Sequence, residues 1–328
     1  MRMHAEVFYV LSALAQHGVP LVVAQLCSSV MSAPGFPYEA NVECIDYFAG
    51  ESQISRAFAK AGMCAISYEV KHDPDYEDIM EPGGLGHALQ LALMSRLSGC
   101  SVFGITCSTF CMLNYATHRR SRYRGLGNSA HESVRLANRL VSRAALLLMV
   151  LSALQIFWII EQPLNSKLTT HPRMQQLISM FDVYETTTAM WKFSKDAMKP
   201  TVLYSNKKWI TEIEEFRTVH KRPWTLKKLV STKWQGKRKL FSGNRHLKSS
   251  QAYTPEFGEA VRKLYLKHKE EQVTTVRQQR AMLQSQLTPQ KRAILQDIMR
   301  TTLTGTDQGW IDADLQPVFA FLANCNSR

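Results

Sequence analysis

The chain has 328 residues, of which 45% are hydrophobic and 20% are charged. This composition excludes a disordered chain and a small disulfide-rich domain, and the length allows one large or two modest domains with a sizeable core. The formal net charge is +13, and residues 206–250 carry most of it, with 13 Lys or Arg against 3 acidic residues. A local basic segment favours a polyanionic partner, and a solvated basic surface is the alternative.

The N-terminal segment 1–40 is ambiguous. A short apolar run resembles a secretory signal, but Glu6 precedes it, and a surface helix before the first strand is the favoured interpretation. Seven cysteines, an odd number spread over the chain, form no disulfide pattern and favour a reducing compartment. We therefore expect an intracellular protein, with the nucleus favoured by the positive charge and the cytoplasm as the alternative.

Strands and helices alternate over the first two thirds of the chain. The predicted strands are 43–48, 64–69, 101–105, 156–161 and 183–188. The predicted helices between them are 52–61, 85–97, 130–154 and 171–181. This alternation predicts an α/β fold, a Rossmann-like, doubly wound, mostly parallel sheet with helices on both faces, plus a smaller basic C-terminal region.

The apolar stretch 144–160 has the composition of a membrane span. Its 17 residues include only Ser152 and Gln155 as polar side chains, and that length lies near the lower limit for a span. Ser129 and Glu132 resemble a capping box that starts a helix. We interpret the stretch as the end of that helix followed by a buried central strand, so no membrane contact is predicted.

The alternation stops after residue 205. Four parts are therefore predicted: an N-terminal extension 1–40, a cofactor-binding sheet domain 41–205, a basic segment 206–250 that contacts nucleic acid, and a helical region 251–328. The basic segment contains three tryptophans, which would either stack on bases or, as the favoured interpretation, pack in a small satellite core. They are Trp209, Trp224 and Trp234.

The first predicted strand ends in a glycine turn. Residues 46–55 read Asp-Tyr-Phe-Ala-Gly-Glu-Ser-Gln-Ile-Ser. Gly50 would let the backbone approach a ligand, and a helix that starts near Ser52 would direct its N-terminal amides to the same place. Such a turn is where an α/β sheet binds a nucleoside cofactor, and a plain strand-to-helix connection is the alternative.

Acidic residues follow the second predicted strand. Glu69 lies 23 residues after Asp46, a spacing that suits hydrogen bonds from ribose hydroxyls to a carboxylate. Asp78 would accept a hydrogen bond from an exocyclic amine, while Ile79 would flank a flat ring. An ordinary exposed acid and a surface turn would explain the same residues.

Cys107 follows the third predicted strand. A cysteine just past a strand end is a competent nucleophile if nearby positive charge lowers its pKa. The Arg-rich loop 115–128 follows directly and could fold over the pocket. The alternatives are a buried inert thiol, or a metal site with Cys111 and His118, whose spacing matches no standard zinc pattern. No metal is predicted.

Glu161 ends the fourth predicted strand, directly after the apolar residues 156–160. A carboxylate in that place is costly unless it is paired or used, and it would be placed to donate a proton. A structural salt bridge to an arginine is the alternative. Because parallel strands end at the same edge of a sheet, all four strand ends are predicted to share one cavity.

With these residues in place, the chain resembles the cytosine-5 DNA methyltransferase family over about residues 42–163. Residues 46–50 are similar to that family's cofactor loop, and Glu69 and the pair Asp78-Ile79 look like its ribose and adenine contacts. The resemblance implies S-adenosylmethionine as the cofactor. Its implied contacts are Asp46, Phe48, Gly50, Ser52, Glu69, Asp78 and Ile79.

The resemblance also implies the chemistry. Cys107 falls at the catalytic cysteine, which adds to carbon 6 of cytosine, and Glu161 falls at the glutamate that assists at the ring nitrogen. Carbon 5 then takes the methyl group. The chain departs from the family at four places: Ser52 stands for glycine, Thr106 for proline, Ser108 for glutamine and Gln162 for asparagine. No Gln-x-Arg-x-Arg motif is present.

The implied partner is nucleic acid, DNA more than RNA, with the target base swung out of a duplex or offered single-stranded. Basic side chains would hold its phosphates. They are Arg119, Arg120, Arg122, Lys227, Lys228, Lys233, Lys237, Arg238 and Lys239. A catalytically degenerate fold that binds nucleic acid, and a different nucleoside- or phosphate-binding enzyme on the same fold, are the alternatives.

Overall fold

The helices and strands predicted up to residue 205 are present. The computed structural model describes residues 5–39, 41–236, 238–300, 310 and 313–326. The α-helices are α1 Ala5–Gln16, α2 Leu21–Met31, α3 Gln53–Lys60, α4 Pro82–Leu93, α5 Tyr115–His118, α6 Glu132–Ala153, α7 Pro172–Met180, α8 Pro255–Ser285, α9 Pro289–Arg300 and α10 Gln316–Asn326. The strands are β1 Val42–Tyr47, β2 Ala65–Tyr68, β3 Ser95–Phe103, β4 Phe157–Pro163, β5 Tyr184–Ala189, β6 Pro200–Ser205, β7 Val230–Gln235 and β8 Arg238–Gly243.

Six strands form one sheet in the order β2-β1-β3-β4-β6-β5. The first four are parallel to one another, whereas β6 runs antiparallel to both β4 and β5. The fold is therefore α/β with a mostly parallel sheet, as predicted. The sequence did not predict β6. No crossover helix precedes its six residues, so the alternation that marks the earlier strands is missing. Its place beside β4 is set by pairing across the sheet.

Adjacent residues of the central strands point to opposite faces, as the pleat requires. Ile45 and Trp158 belong to a core formed with α1, α2, α4 and α6. Cys44 and Phe157, their chain neighbours, belong to a second core formed with α3 and α8. Helices thus cover both faces, which is what a parallel sheet with apolar residues on both sides needs.

The predicted boundaries at residues 40 and 250 do not separate independent cores. Leu14 in α1 and Val23 in α2 are fully buried in the first core, so the prediction of a surface helix in segment 1–40 is wrong. Phe257 and Tyr265 in α8 are fully buried in the second core. Both terminal segments complete the sheet domain because without them each face of the sheet would expose apolar side chains to water.

Helix α6 is a core helix. It is the one helix in the described part of the chain that is long and apolar enough to cross a membrane, and 78% of its most apolar window is buried inside the protein. The predicted division of residues 144–160 into a helix end and a strand is confirmed. The predicted capping box is wrong, since the Ser129 hydroxyl donates to the Leu126 carbonyl and Glu132 begins the helix without a side-chain cap.

The basic segment 206–250 divides into two parts. A 3₁₀ helix, Lys208–Phe216, packs on the second core, and Trp209 lies between β4 and α8. Strands β7 and β8 then form an antiparallel hairpin, and Trp224 and Trp234 are exposed. Trp209 therefore packs, but against the second core of the sheet domain instead of in a small satellite core, while Trp224 and Trp234 are largely exposed.

Candidate active site

A cleft of about 780 Å³ opens at the carboxyl ends of β1, β2, β3 and β4. This volume is within the usual range for ligand pockets. The chain leaves β1 toward β2 on one side and returns to β3 on the other, and open α/β sheets bind ligands at such a divergence. The predicted site residues in the cleft wall are Phe48, Gly50, Glu69, Asp78, Ile79, Cys107 and Glu161.

The turn after β1 has an unusual backbone. Gly50 has φ +56°, and a Cβ atom placed on it would meet no atom within 4 Å, so the space above it is open. Phe48 and Ser52 also lie in the left-handed region, with φ 59° and 56°, which costs each of them about 1–2 kcal/mol. Strained residues of this kind persist only where their surroundings hold them, and they cluster at ligand clamps.

Glu69 is held in the cleft wall by backbone amides. Its Oε2 accepts a hydrogen bond from the Gly50 amide at 2.9 Å, and its Oε1 accepts one from the Lys71 amide at 3.3 Å. The Glu69 amide in turn donates to the Glu77 carboxylate at 2.8 Å. Because each carboxylate oxygen accepts two hydrogen bonds, capacity for ligand hydroxyls is left.

Asp46 and Ser52 do not form part of the cleft wall. Asp46 is fully buried, and its Oδ2 accepts a hydrogen bond from the Ser55 amide at 3.3 Å. Burial raises the pKa of Asp46 to about 7, although amides at the start of α3 oppose the rise. The prediction that Asp46 and Ser52 contact a cofactor is corrected: Asp46 anchors the start of α3, and Ser52 is its buried N-cap.

The wall formed by Asp78 and Ile79 is held from outside the cleft. Asp78 Oδ1 accepts a hydrogen bond from the Met80 amide at 2.8 Å. The guanidinium of Arg143, which is 1% exposed, donates to the carbonyls of Ile79 and Met80 at 2.8 and 2.7 Å. A Cβ atom on Gly84 would lie 1.9 Å from the Asp78 carbonyl oxygen, so the loop needs glycine there.

Cys107 faces the cleft beside a second thiol. The Cys111 thiol donates a hydrogen bond to the Cys107 sulfur, and this bond lowers the pKa of Cys107. Burial and the Glu161 carboxylate act in the opposite direction, and the Lys199 ammonium adds to the lowering. The same hydrogen bond raises the pKa of Cys111. Cys107 is therefore the thiol that ionises, and Cys111 is its protonated donor.

Two buried side chains hold the loop that follows Cys107. Arg120 is 1% exposed, and its Nε donates to the Thr109 carbonyl at 2.8 Å. His118 contacts the Cys111 carbonyl through Nε2 at 2.8 Å, and its Nδ1 accepts from the Arg120 amide at 2.9 Å. These bonds occupy both His118 nitrogens, which argues against the alternative of a metal site with the two cysteines.

Glu161 has two partners from distant parts of the chain. The Lys199 ammonium lies 3.3 Å from Oε1, and the Tyr253 hydroxyl donates to Oε2 at 3.4 Å. Burial and the Glu161 charge raise the pKa of Tyr253, so this hydroxyl stays protonated. The alternative interpretation of Glu161 was a structural salt bridge to an arginine. The structure contains a salt bridge, but its cation is Lys199, the residue before β6.

Gln162 connects the ends of β3 and β4. Its Nε2 donates to the Ile105 carbonyl at 2.7 Å, and its Oε1 accepts from the Ser166 hydroxyl at 2.8 Å. Gln162 is fully buried. Gln162 therefore holds the backbone in place two residues before Cys107.

The charged residues of the cleft wall are unevenly distributed. The segments after β1 and β2 contribute four acidic side chains, Glu51, Glu69, Glu77 and Asp78. They also contribute one basic side chain, Lys71. Basic side chains come from the residue before β6 and from the segment that precedes α8: Lys199, Arg245 and Lys248. The first group favours a cationic ligand with hydroxyl groups, and the second favours phosphate.

Among the described side chains predicted to contact nucleic acid, none lines the cleft: Arg119, Arg120, Arg122, Lys227, Lys228 and Lys233. Arg119, Arg122, Lys227, Lys228 and Lys233 are exposed, and Lys227 pairs with Asp196 at 2.5 Å. Arg238 and Lys239 lie on β8, and Lys237 lies outside the described residues. The prediction for Arg120 is corrected, because its buried guanidinium cannot reach a phosphate.

The sequence did not indicate Lys199 or Tyr253 as site residues. Lys199 directly precedes β6, a strand that the sequence did not predict, and Tyr253 lies 92 residues from Glu161. The residues around Tyr253, which precedes α8, do not indicate that its hydroxyl contacts a carboxylate. Comparison with protein-family models, curated proteins and solved structures gives no match.

Replacing Arg120 by methionine is expected to destabilise the fold, while Arg122→Met is not. Arg120→Met leaves the carbonyls of Thr109 and Gly125 without their buried donor, at a cost of about 2–4 kcal/mol. Arg122 is exposed, so its replacement should change the free energy of unfolding by less than about 0.5 kcal/mol. Urea unfolding of both variants measures the difference, and equal effects would contradict a structural role for Arg120.

Replacing Cys111 by alanine is expected to raise the pKa of Cys107, because the donor to the thiolate is lost. Below that pKa the thiolate fraction falls, and alkylation of Cys107 by iodoacetamide should slow roughly fivefold, given about 1 kcal/mol for the hydrogen bond. Cys111→Ser keeps a donor and should slow less. The alkylation rate at Cys107, followed by mass spectrometry across pH, tests this; identical profiles in all three proteins would exclude the donor role.

Proposed function

We propose that this protein transfers a methyl group from S-adenosylmethionine to carbon 5 of cytosine in a nucleic acid, DNA more than RNA. The observation that supports it most is the composition of one cleft wall. Cys107 and Glu161 line the cleft together with Gly50 and Glu69. A nucleophile, a paired carboxylate and a glycine turn backed by an acid are the parts that this reaction needs.

The segments after β1 and β2 fit the cofactor. The open space above Gly50 admits a ligand close to the backbone. Glu69 would accept hydrogen bonds from ribose hydroxyls, while Asp78 and Ile79 would receive the adenine. The acidic surroundings favour the cationic amino-acid end. When bound, S-adenosylmethionine supplies an electrophilic methyl group.

Cys107 would act as the nucleophile. Its thiolate, stabilised by the Cys111 thiol, adds to carbon 6 of cytosine and forms a carbon–sulfur bond. The ring electrons shift to carbon 5, which becomes nucleophilic. After methylation, a solvent water would take the proton from carbon 5, the electron pair of that bond would restore the ring double bond, and the carbon–sulfur bond would break to regenerate the Cys107 thiolate.

Glu161 would assist at the pyrimidine ring. It would hydrogen-bond to the ring nitrogen or protonate it, which eases the build-up of negative charge during the attack. Lys199 and Tyr253 hold the carboxyl group in a fixed direction. Lys199 also acts on Cys107, because its charge favours the thiolate.

The basic residues would hold the phosphates of the substrate. Arg245 and Lys248 lie in the cleft wall, and the hairpin β7–β8 presents Trp234 to solvent. A cytosine can reach Cys107 only from a single strand or after leaving the duplex stack. The affinity for nucleic acid should fall steeply as salt rises.

A nucleic-acid-binding module without catalysis is the second candidate. One observation favours it: an ion pair between Glu161 and Lys199 is also what a purely structural carboxylate would form. Such a module would keep the basic residues of the cleft and lose the need for a reactive Cys107.

A methyl-transfer assay tests the proposal. The full chain is incubated with radiolabelled S-adenosylmethionine and with mixed-sequence duplex DNA, single-stranded DNA and RNA, and the bases are then separated. The expected product is 5-methylcytosine in at least one substrate. Binding of nucleic acid without label in any cytosine would overturn the enzymatic proposal and favour the module.

A further inference from the structure

Cys107 and Cys111 lie at the two ends of one hydrogen-bonded turn beside the cleft. The Cys111 amide donates to the Cys107 carbonyl at 3.1 Å, and a turn closed in this way places the two Cα atoms about 6 Å apart. Disulfides span Cα distances of about 4.4–6.8 Å. The two side chains also interact, because Cys111 lowers the pKa of Cys107 while Cys107 raises the pKa of Cys111.

The surrounding chain permits a bond between them. The residues after Cys107 form turns and a short 3₁₀ helix, Met112–Asn114, instead of the interior of a long helix. Both cysteines are partly accessible, and Cys107 lies in the wall of an open cleft. A small oxidant can therefore reach Cys107, and no long helix constrains the turn that carries the two cysteines.

We infer that Cys107 and Cys111 are a reversible oxidation site, which closes to an intramolecular disulfide when the protein meets a hydroperoxide. The Cys107 thiolate attacks the terminal peroxide oxygen, the oxygen–oxygen bond breaks, and Cys107 becomes a sulfenic acid while an alkoxide leaves, or hydroxide when the oxidant is hydrogen peroxide. The Cys111 sulfur then attacks the Cys107 sulfur. The disulfide forms, and the sulfenic oxygen leaves as water with the thiol proton.

A second cysteine pair provides a comparison within the same molecule. Cys44 and Cys100 are direct neighbours on β1 and β3, yet they are 0% and 1% exposed. Burial raises the pKa of Cys44, and no oxidant reaches either sulfur. Proximity alone therefore does not make a redox site, and the combination of accessibility, a facing thiol and a stabilised thiolate is found at Cys107 and Cys111.

The functional consequence rests on the proposed methyl transfer. A Cys107 sulfur held in a disulfide cannot add to a cytosine, so oxidation would stop the reaction and a dithiol would restore it. Formation of the disulfide itself depends only on the two thiols. The two ideas can therefore fail separately.

Peptide mapping tests the inference. The reduced full chain is treated with hydrogen peroxide, unfolded, labelled with N-ethylmaleimide and digested with trypsin. Peptide 97–119 contains Cys100, Cys107 and Cys111. We expect its labels to fall from three to one, with Cys100 still labelled, and to return to three after dithiothreitol. The Cys111→Ser variant should keep no disulfide and should instead capture dimedone at Cys107.

Three results would overturn the inference: three labels after peroxide, a bond that includes Cys100, or the same label loss in Cys111→Ser. Exposed Cys64 offers a control, because Cys64→Ser should leave the disulfide unchanged. If the reduced protein transfers methyl groups but forms no disulfide after peroxide treatment, the oxidation site is contradicted and the proposed function is not. If a disulfide forms in a protein that never transfers methyl groups, the proposed function is contradicted and the oxidation site is not.

Discussion

Cys107→Ala is expected to abolish methyl transfer, by roughly 10⁴-fold or more, while binding of S-adenosylmethionine and nucleic acid persists. The reason is that carbon 5 of cytosine becomes nucleophilic only after a nucleophile adds to carbon 6. Alanine removes the sulfur and leaves the cleft otherwise intact. A radiolabel-transfer assay, run beside filter binding of cofactor and DNA, measures both quantities.

Cys64→Ala is the matched control for this variant. Cys64 is exposed and lies outside the cleft wall, so its replacement should change the rate by less than twofold. If Cys107→Ala retained a tenth or more of the transfer rate, Cys107 would not be the nucleophile. If neither the unchanged protein nor the variant transferred label, the binding-module interpretation would gain support.

Glu69→Ala is expected to weaken cofactor binding by roughly 10- to 100-fold, because a hydrogen bond to a charged group contributes about 1.5–3 kcal/mol. The carboxylate faces the cleft and would accept the ribose hydroxyls. It also accepts the Gly50 amide, so the turn that presents the ligand loses its partner. Equilibrium dialysis with radiolabelled S-adenosylmethionine measures the affinity.

Glu69→Gln separates these two contributions. Glutamine retains one carbonyl oxygen, which can still accept the Gly50 amide, but its amide group cannot accept a hydroxyl. We expect an affinity between those of the unchanged protein and Glu69→Ala. Urea unfolding of each variant checks that the fold is kept. An unchanged affinity in both variants would place the cofactor elsewhere.

The site depends on groups that do not touch a substrate. Arg120 and His118 hold the loop after Cys107, Gln162 aligns the end of β3, and Arg143 holds the wall at Ile79. Each is a buried polar side chain that hydrogen-bonds to backbone carbonyls of the loops around the cleft. Buried polar side chains therefore keep the cleft wall in one arrangement.

For the N-terminal and C-terminal segments, the sequence predicts helices but does not predict where those helices pack. An apolar run predicts a helix near the N-terminus, and residue propensities predict a helical region after residue 250, but neither signal reveals which surface a helix covers. In the structure α1 and α8 each cover a face of the sheet. The same limit applies to Arg120, since an arginine in a polar loop reads as solvent-exposed unless the carbonyls that surround it are known.

By itself, the sequence determined the alternation of strands and helices and the four strand ends that carry Gly50, Glu69, Cys107 and Glu161. These features depend on local periodicity and on turn chemistry, which neighbouring residues set. Only the tertiary structure decided that β6 enters the sheet beside β4, that Asp46 is buried, and that Lys199 and Tyr253 meet Glu161. Those contacts join residues far apart in the chain, and they exist only once packing has closed the loops between them.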